Sequence, residues 1–369
     1  MSVRRIPFMS LIPGDDAADV RQAIDRVIAR GWFVLGPEVS AFEEEFASAS
    51  GAARAVGVGT GTDAIALILR ALGIGPGDEV ITSPLSAAYS ALAVIMAGAR
   101  PVFADIDPLR MTIDPDRIAD LVGPRTRAIL PVHLYGQPAD MAAIARVAAR
   151  HNLAIVEDAC QAHLATAGGR PVGTIGVAGA FSFYPTKNLG ALGDGGAVVT
   201  NDPALADRVA RLRNGGQTDR YHHQEPGINS RLDDIQAAIL RARLPRLRGW
   251  TERRRALAAR YRSLLAGAPV ELLPERDPGH VYHLFVVRTG ERPALQAHLA
   301  ANGIETLIHY PVSIPRQPAL AGQNPGECPV AARVCGEILS LPLHPALRDD
   351  EVDEIAAAVH TFQPRTVVS

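Results

Sequence analysis

Residues 153–163 read LAIVEDACQAH, a short apolar run that ends abruptly in two acidic residues. A run bounded in this way is typical of a strand buried on both faces of a sheet. Similar runs recur between residues 54 and 200 and predict a set of such strands: Arg54–Val58, Glu79–Ser83, Pro101–Ala104, Arg127–Val132, Leu153–Glu157, Ala180–Tyr184 and Ala197–Thr200.

Helical spacing separates several of these strands, over Thr62–Leu72, Ala87–Ala97 and Met141–Arg150. Alternating strands and helices indicate an α/β domain with a mainly parallel sheet and helices on both faces. From Ala180 onward the strands follow one another without long helices. We therefore expect part of the sheet to be antiparallel.

The pattern changes after Arg231 and predicts a long helix pair broken once at Pro245. A smaller unit follows, with these predicted elements: a strand at Val281–Arg288 and helices at Pro293–Asn302 and Asp349–His360. The predicted architecture is a large α/β domain over residues 1–245 and a smaller α+β domain over residues 246–369.

Composition excludes several classes of partner and location. The 37 basic and 39 acidic residues give a net charge of −2, so nucleic acid and anionic membranes are not expected partners. Three cysteines are too few for a disulfide framework and suit a reducing cytoplasm. We expect no signal peptide, because Pro13 and Asp15 interrupt the early apolar run. The uncharged residues 80–99 contain Pro84 and Gly98, so we expect core rather than a membrane span.

The basic residues are 36 arginines and a single lysine, Lys187. A guanidinium is effectively always charged, whereas a lysine amine can become neutral and nucleophilic. Composition drift alone could leave one lysine by chance, so the surroundings of Lys187 have to decide its role.

Three features lie where open parallel sheets bind ligands, at the carboxyl ends of strands. They are the turn Gly59–Asp63 at a helix start, the carboxylate of Asp158 and the amine of Lys187. Taken singly, the turn and the carboxylate are as well explained by helix capping or a surface ion pair. Together they suit pyridoxal phosphate (PLP), which needs a phosphate site, a carboxylate at its ring nitrogen and a lysine for its aldehyde.

Several runs then resemble one family: EDACQAH at 157–163, FSFYPTKNLG at 181–190, GG at 195–196 and NSRLD at 229–233. The likeness extends from GWFVLGP at 31–37 to IHYP at 308–311. These runs resemble the DegT/DnrJ/EryC1/StrS family of PLP-dependent nucleotide-sugar aminotransferases. The resemblance implies the PLP-dependent transferase fold type I, similar to aspartate aminotransferase.

The resemblance implies specific residue roles. Lys187 would form the Schiff base and shuttle a proton, and Asp158 would face the ring nitrogen. Gln161 would bond the phenolic oxygen of the cofactor. The remaining cofactor contacts would come from Gly61, Thr62, Asp63 and Ser182 at the phosphate, and from Asn229 reaching the cofactor of a partner subunit.

Residues bordering the sugar in this interpretation are Trp32, Phe33, Tyr89, His163, Tyr184, His309 and Tyr310. This chain has Ala87 where relatives usually carry an aromatic residue over the ring. Either Tyr89 covers that face or the ring is less covered. Cys160 is interpreted as a small packing residue. The adjacent His222 and His223 lack metal-ligand spacing, so no metal is predicted.

The predicted protein is a cytoplasmic homodimer with shared active sites. It would move an amino group from an amino acid, by family analogy L-glutamate, to a nucleotide-linked keto-sugar. Tyr221–His223 and Asn229–Asp233 resemble the corresponding residues of family members that act on 3-keto sugars, so the resemblance implies a 3-keto rather than a 4-keto sugar. Two alternatives are a sugar dehydratase, which would carry histidine in place of Lys187, and a PLP-binding regulator without turnover, which would need a sensory or DNA-binding module.

Overall fold

The computed structural model describes residues 5–323 and 326–363. Within these ranges the helices are α1 (Ala17–Arg30), α2 (Pro37–Ser50), α3 (Gly61–Ala71), α4 (Tyr89–Met96), α5 (Pro115–Leu121), α6 (Met141–His151), α7 (Pro203–Leu212), α8 (Asp234–Arg243), α9 (Leu247–Leu264), α10 (Arg292–Ala301), α11 (Pro329–Glu337) and α12 (Asp349–Thr361). The strands are β1 (Arg54–Val58), β2 (Glu79–Thr82), β3 (Arg100–Phe103), β4 (Thr126–Leu130), β5 (Ala154–Asp158), β6 (Thr166–Ala167), β7 (Arg170–Pro171), β8 (Ala178–Ser182), β9 (Gly196–Thr200), β10 (Gln217–Asp219), β11 (His222–His223), β12 (Glu271–Leu272), β13 (Phe285–Arg288) and β14 (Ile338–Leu341).

A seven-stranded sheet in the order β1-β9-β8-β5-β4-β2-β3 forms the centre of the large α/β unit. Strands β3, β2, β4, β5 and β8 run parallel to one another. Strand β9 is antiparallel to both β8 and β1, so β1 runs in the same direction as the parallel strands. The predicted mixed sheet is confirmed, and six strands end at the same edge.

Side chains alternate between two buried faces of this sheet, as the pleat requires. Val80 packs with α3 in one cluster of buried apolar residues, whereas its neighbour Ile81 packs with α6 in another. Phe181, from β8, packs with Phe46 of α2 on the second face. Burial on both faces explains why the strands read as continuous apolar runs.

A second, three-stranded sheet in the order β12-β13-β14 is antiparallel throughout. Helices α9, α10 and α12 cover it, and Tyr261 stacks on Phe285 in the core between them. Ile6 joins this core and pairs with Ile304, so the start of the chain packs with C-terminal residues. The division at residue 245 stays a prediction.

Most sequence boundaries agree with the structure to within about two residues, which is the usual uncertainty of such boundaries. Strand β8 is an informative exception, because it was predicted to end at Tyr184 and ends at Ser182. The chain leaves the sheet there and forms the turn that carries Lys187. Helices α1, α2, α5, α7 and α11 were not predicted. Among the described helices, none combines the length and apolar character needed to cross a bilayer.

A buried carboxylate, Glu157 of β5, links the segment after β4 to the turn before β8. It accepts hydrogen bonds from the backbone N–H groups of Gly173, Ile175 and Gly176 at 2.7–2.8 Å, which fixes the turn before β8. His133 Nδ1 accepts the N–H of Ala139, so its Nε2 carries the proton and donates to Glu157 at 3.0 Å.

These donors have a predicted consequence for acid stability. Burial raises the pKa of Glu157, but His133 and the backbone donors outweigh it and hold the pKa below its ordinary value of 4.5. A depressed carboxyl pKa stabilises the fold above the unfolded pKa, and this contribution is lost progressively as pH falls from about 4.5 through the lower pKa of the folded state. We expect Glu157→Gln to lower the free energy of unfolding at pH 7 by about 2 kcal/mol or more. Denaturant titrations at pH 7 and pH 4 should show a smaller gap between variant and wild type at pH 4, and an equal gap would contradict this interpretation.

Candidate active site

The carboxyl ends of β1, β8, β5, β4 and β2 meet at one edge of the large sheet. The chain segments that leave these strands carry the predicted cofactor residues Gly61, Ser182, Lys187, Asp158 and Gln161. This edge is where open α/β sheets bind their ligands. The three predicted features are therefore brought together by strand direction.

Asp158 is the last residue of β5 and is 5% exposed. Its Oδ2 accepts a hydrogen bond from Ser90 Oγ at 2.6 Å, and its Oδ1 accepts the N–H of Cys160 at 3.1 Å. Ser90 lies in the first turn of α4, next to Tyr89. The carboxylate is thus held in one orientation by two donors.

The turn before α3 has the geometry of an anion site. Thr60 caps the helix, since its Oγ1 accepts the N–H of Asp63 at 3.0 Å. Ser230 Oγ accepts the N–H of Gly59 and donates to the Asp63 carboxylate at 2.7 Å. The backbone N–H and the carboxylate of Asp63 therefore both make hydrogen bonds within the turn. The N–H groups of Gly61 and Thr62, which have no acceptor within the helix, stay available for phosphate.

Gly61 lies against the ends of the two neighbouring strands. A Cβ on Gly61 would lie 2.7 Å from Cys160 Sγ and 2.8 Å from Ser182 Cβ, closer than real contacts allow. The absence of a side chain is what lets the helix start approach both strand ends.

We expect Gly61→Ala to push the helix start away from β5 and β8, and so to weaken PLP binding by about tenfold or more. The overpacking should also lower the free energy of unfolding by about 1–3 kcal/mol. Gly249→Ala in α9 is the matched control, because no atom beyond its neighbours and the adjoining backbone of the helix lies within 4 Å of its added Cβ. In that control the better helix propensity of alanine should raise stability slightly. Fluorescence titration with PLP and denaturant unfolding measure both effects, and equal PLP affinity in the two variants would contradict the role of Gly61.

Lys187 lies in the turn that follows β8, where its N–H donates to the carbonyl of Tyr184 at 2.8 Å. Burial lowers the pKa of its amine below the ordinary lysine value, and the nearby Asp158 opposes this only in part. In the described part of the chain, Lys187 forms no ion pair. A half-buried, unpaired amine with a lowered pKa is suited to act as a nucleophile and as a proton carrier.

Three histidines surround this amine, and all of them are neutral at physiological pH. Burial and the Lys187 charge lower the pKa of His163 to about 3 and of His309 to about 4, and hold that of His283 well below its ordinary value. His283 Nδ1 bonds the Asn188 side chain at 3.1 Å, and His309 Nδ1 bonds Ser340 at 2.9 Å. Among the described residues, neither ring nitrogen of His163 has a hydrogen-bond partner.

Two hydrogen bonds hold the side chain of Gln161. Its Oε1 accepts the N–H of Tyr135 at 2.7 Å, and its Nε2 donates to the Tyr310 hydroxyl at 3.0 Å. The Tyr135 hydroxyl in turn donates to the carbonyl of His309. These bonds hold residues 309–310 of the C-terminal unit against the edge of the large sheet that carries Asp158 and Lys187.

Tyr89 is the first residue of α4 and lies next to Ser90, which bonds Asp158. Tyr89 is 64% exposed. Cys160 lies under the site, and burial raises the pKa of its thiol well above the ordinary value. Its thiol stays protonated, as the sequence interpretation of an inert packing residue expects.

Four predicted residues lie outside this cluster. Trp32 and Phe33 are 56% and 47% exposed and belong to a segment that pairs with the start of α8. Tyr184 is also half-exposed, and Asn229 is exposed on a loop that pairs with Asn214. In the described chain their side chains form no hydrogen bond with Lys187, Asp158 or Gln161, although the indole of Trp32 donates to Val34.

Sequence reasoning missed Ser90, Ser230, Tyr135 and His283. Ser90 could have been found, since it follows the carboxyl end of a predicted strand. The other three depend on contacts between residues far apart in the chain, such as Ser230 with Gly59. No metal-binding group of histidine, cysteine or acidic residues occurs among the described side chains.

The residues present fit PLP. At Gly61, the space that a Cβ would fill lets the helix start lie close to the strand ends. Asp158 supplies a buried, oriented carboxylate, and Lys187 supplies an unpaired amine. Gln161 keeps one amide N–H beyond its contact with Tyr310. The donor set thus offers groups for the phosphate, the ring nitrogen, the phenolic oxygen and the aldehyde.

Comparison with known proteins agrees with this fit. Solved structures include S. venezuelae DesV in complex with a ketimine intermediate, with a TM-score of 0.93, 49% identity and coverage of 96% of this chain and 98% of that chain. A curated relative, dTDP-3-amino-3,4,6-trideoxy-alpha-D-glucose transaminase of Streptomyces venezuelae, is 49% identical over 98% of this chain and 97% of its own length. Another, the erythromycin biosynthesis sensory transduction protein EryC1 of Saccharopolyspora erythraea, is 47% identical over 96% of this chain and 98% of its own.

The fold and the site define a PLP-dependent aminotransferase of fold type I. A family model described as the DegT/DnrJ/EryC1/StrS aminotransferase family matches residues 15–360. The chain belongs to the DegT/DnrJ/EryC1/StrS aminotransferase family, as the sequence resemblance predicts.

Proposed function

We propose that this aminotransferase transfers an amino group from an amino acid, L-glutamate in the first instance, to C3 of a nucleotide-linked keto-sugar. The observation that carries the proposal is the unpaired amine of Lys187 beside the oriented carboxylate of Asp158, at an edge whose helix start is open to phosphate. Bound PLP supplies an aldehyde for the amine and a ring that withdraws electrons from the substrate carbon.

The side chains and backbone groups at the site have separate roles in binding PLP and moving protons. Asp158 holds a proton at the ring nitrogen, and Ser90 and the Cys160 N–H keep its oxygens in place for this. Lys187 carries a proton between the substrate carbon and the cofactor, which requires a partly neutral amine near the working pH. The N–H groups of Gly61 and Thr62, with the Ser182 hydroxyl, hold the phosphate.

The three neutral histidines around Lys187 support this assignment of the acid and the base. Because the pKa values of His163 and His309 are about 3 and 4, neither ring competes with Lys187 for the transferred proton at neutral pH. We propose that His309 and Tyr310 border the sugar, with Tyr89 closing the site from the α4 side. Trp32, Phe33 and Tyr184 would contribute from the exposed rim.

The position aminated is proposed from two supports. Tyr221–His223 and Asn229–Asp233 resemble the corresponding residues of family members that act on 3-keto sugars, and the relative from Streptomyces venezuelae has a name that refers to a 3-amino sugar. Among the relatives, EryC1 carries a sensory name, which keeps the regulatory alternative worth testing. The dehydratase alternative is disfavoured, because such an enzyme would carry histidine in place of Lys187.

We also propose a cytoplasmic homodimer in which Asn229 reaches the cofactor phosphate of the partner subunit. The exposed apolar side chains Trp32, Phe33 and Val34 lie next to the start of α8 and suit burial against a second copy. Asn229 is itself exposed in one chain. Sedimentation equilibrium should give a dimer mass, and a monomer at micromolar concentration would contradict the shared site.

The half-reactions test the proposed function directly. Glutamate added to the PLP-loaded protein should abolish its visible absorbance band and release 2-oxoglutarate in equal amount. The loaded protein should then aminate nucleotide-linked 3-keto sugars faster than their 4-keto isomers. A spectrum unchanged by any amino donor would favour the regulatory alternative. Faster use of 4-keto sugars would overturn only the proposal that C3 of the sugar is aminated.

A further inference from the structure

The contact between Gln161 and Tyr310 joins the cofactor site to the C-terminal unit. Gln161 is 5% exposed, so its amide has to satisfy its hydrogen bonds inside the protein. Oε1 faces the N–H of Tyr135, which can only donate, so the orientation of the amide is determined. Nε2 therefore faces Tyr310 and spends one of its two N–H groups on that hydroxyl at 3.0 Å.

We propose that Tyr310 is a positioning residue, which fixes the plane of the Gln161 amide so that its second N–H donates to the phenolic oxygen of bound PLP. The inference rests on the proposed function, because it requires PLP joined to Lys187. It assigns Tyr310 a role toward the cofactor that is separate from any contact with the sugar.

The phenol of Tyr310 is suited to this role because it stays neutral. Burial raises its pKa to about 12, and the negative charge of Asp158 contributes to the increase. A neutral hydroxyl accepts the Gln161 N–H at every working pH. The Tyr135 hydroxyl, which donates to the carbonyl of His309, holds the segment that carries Tyr310 in place. The carbonyl that accepts from Tyr135 and the hydroxyl that accepts from Gln161 thus belong to adjacent residues, His309 and Tyr310.

The consequence is a change in the proton affinity of the nitrogen that joins Lys187 to PLP. A donor at the phenolic oxygen stabilises negative charge there, and this charge is largest when the neighbouring nitrogen has lost its proton. A well-aligned Gln161 therefore lowers the pH at which that nitrogen deprotonates. Without the Tyr310 hydroxyl, the amide can rotate away and the donated hydrogen bond weakens.

The test follows the visible absorbance of the PLP-loaded protein as a function of pH, without substrate. We expect Tyr310→Phe to raise the midpoint of the absorbance change by about half a pH unit. Tyr261→Phe is the matched control, because it also removes a phenolic hydroxyl that makes one hydrogen bond, here buried and donated to the carbonyl of Pro342, and it should leave the midpoint unchanged. Gln161→Leu should raise the midpoint at least as far as Tyr310→Phe.

A double variant shows whether Tyr310 acts through Gln161. In the Gln161→Leu background, Tyr310→Phe should shift the midpoint no further, because coupled residues are not additive. Additive shifts, a Tyr310→Phe midpoint equal to that of wild type, or loss of PLP from Tyr310→Phe would each overturn the inference. If Gln161→Leu does not bind PLP, the comparison of Tyr310→Phe with Tyr261→Phe decides the inference. A loaded wild type whose PLP is not on Lys187 would instead overturn the proposed function.

Discussion

Replacing Lys187 with arginine should abolish transamination, with a loss of turnover of at least about 10³-fold, as expected when an essential nucleophile is removed. A guanidinium stays protonated and cannot form the covalent bond with the PLP aldehyde. The half-buried position near Asp158 should still accommodate the positive charge, so the fold should persist. Release of 2-oxoglutarate from glutamate measures the loss.

The reverse substitution on the surface is the control for Lys187→Arg. Arg333→Lys, on the exposed face of α11, adds an amine far from the sheet edge and should leave turnover unchanged. Wild-type turnover in Lys187→Arg would remove Lys187 from the mechanism. Equal losses in both variants would point to a general effect of the substitution instead.

Replacing Asp158 with asparagine should lower kcat about a hundredfold or more while some PLP stays bound. Asparagine keeps an oxygen for the Cys160 N–H but carries no negative charge to hold a proton at the ring nitrogen. Loss of one oriented electrostatic group from other active sites has an effect of this size. Steady-state kinetics with glutamate, together with the PLP content of the purified variant, separate the two effects.

Ser90→Ala supplies the comparison for Asp158→Asn. It removes the 2.6 Å hydrogen bond to Oδ2 but leaves the carboxylate, so kcat should fall by about tenfold or less. If Asp158→Asn lowered kcat no further than Ser90→Ala, the charge of Asp158 would not matter to the reaction.

The fold was predictable from the sequence where burial on both faces left a strong pattern. The run before Asp158 has to be a buried strand, and a turn with Lys187 has to follow β8, because apolar strands in a parallel sheet end at one edge. Strand β9 runs antiparallel to β8, as expected because residues 183–195 between the two strands carry no helical spacing for a crossover. Helices α1 and α2 carry no comparable motif and were missed.

The site was predictable only as far as local motifs extend. Lys187, Asp158 and the Gly61 turn each have a local signal, whereas the partners of Gln161 are 26 and 149 residues away along the chain. The same holds for Ser230, which closes the phosphate turn 171 residues from Gly59. Such contacts are set by packing of the C-terminal unit and of loop 213–231, which no local pattern encodes.

The central claim is a covalent bond between PLP and Lys187. Borohydride reduction of the PLP-loaded protein, followed by tryptic digestion, tests it directly, because a modified lysine resists trypsin and Arg170 precedes a proline. The account predicts the mass of reduced PLP on a peptide spanning residues 151–208, uncleaved after Lys187 and absent from Lys187→Arg. An unmodified peptide that ends at Lys187 in fully loaded, reduced protein would contradict it.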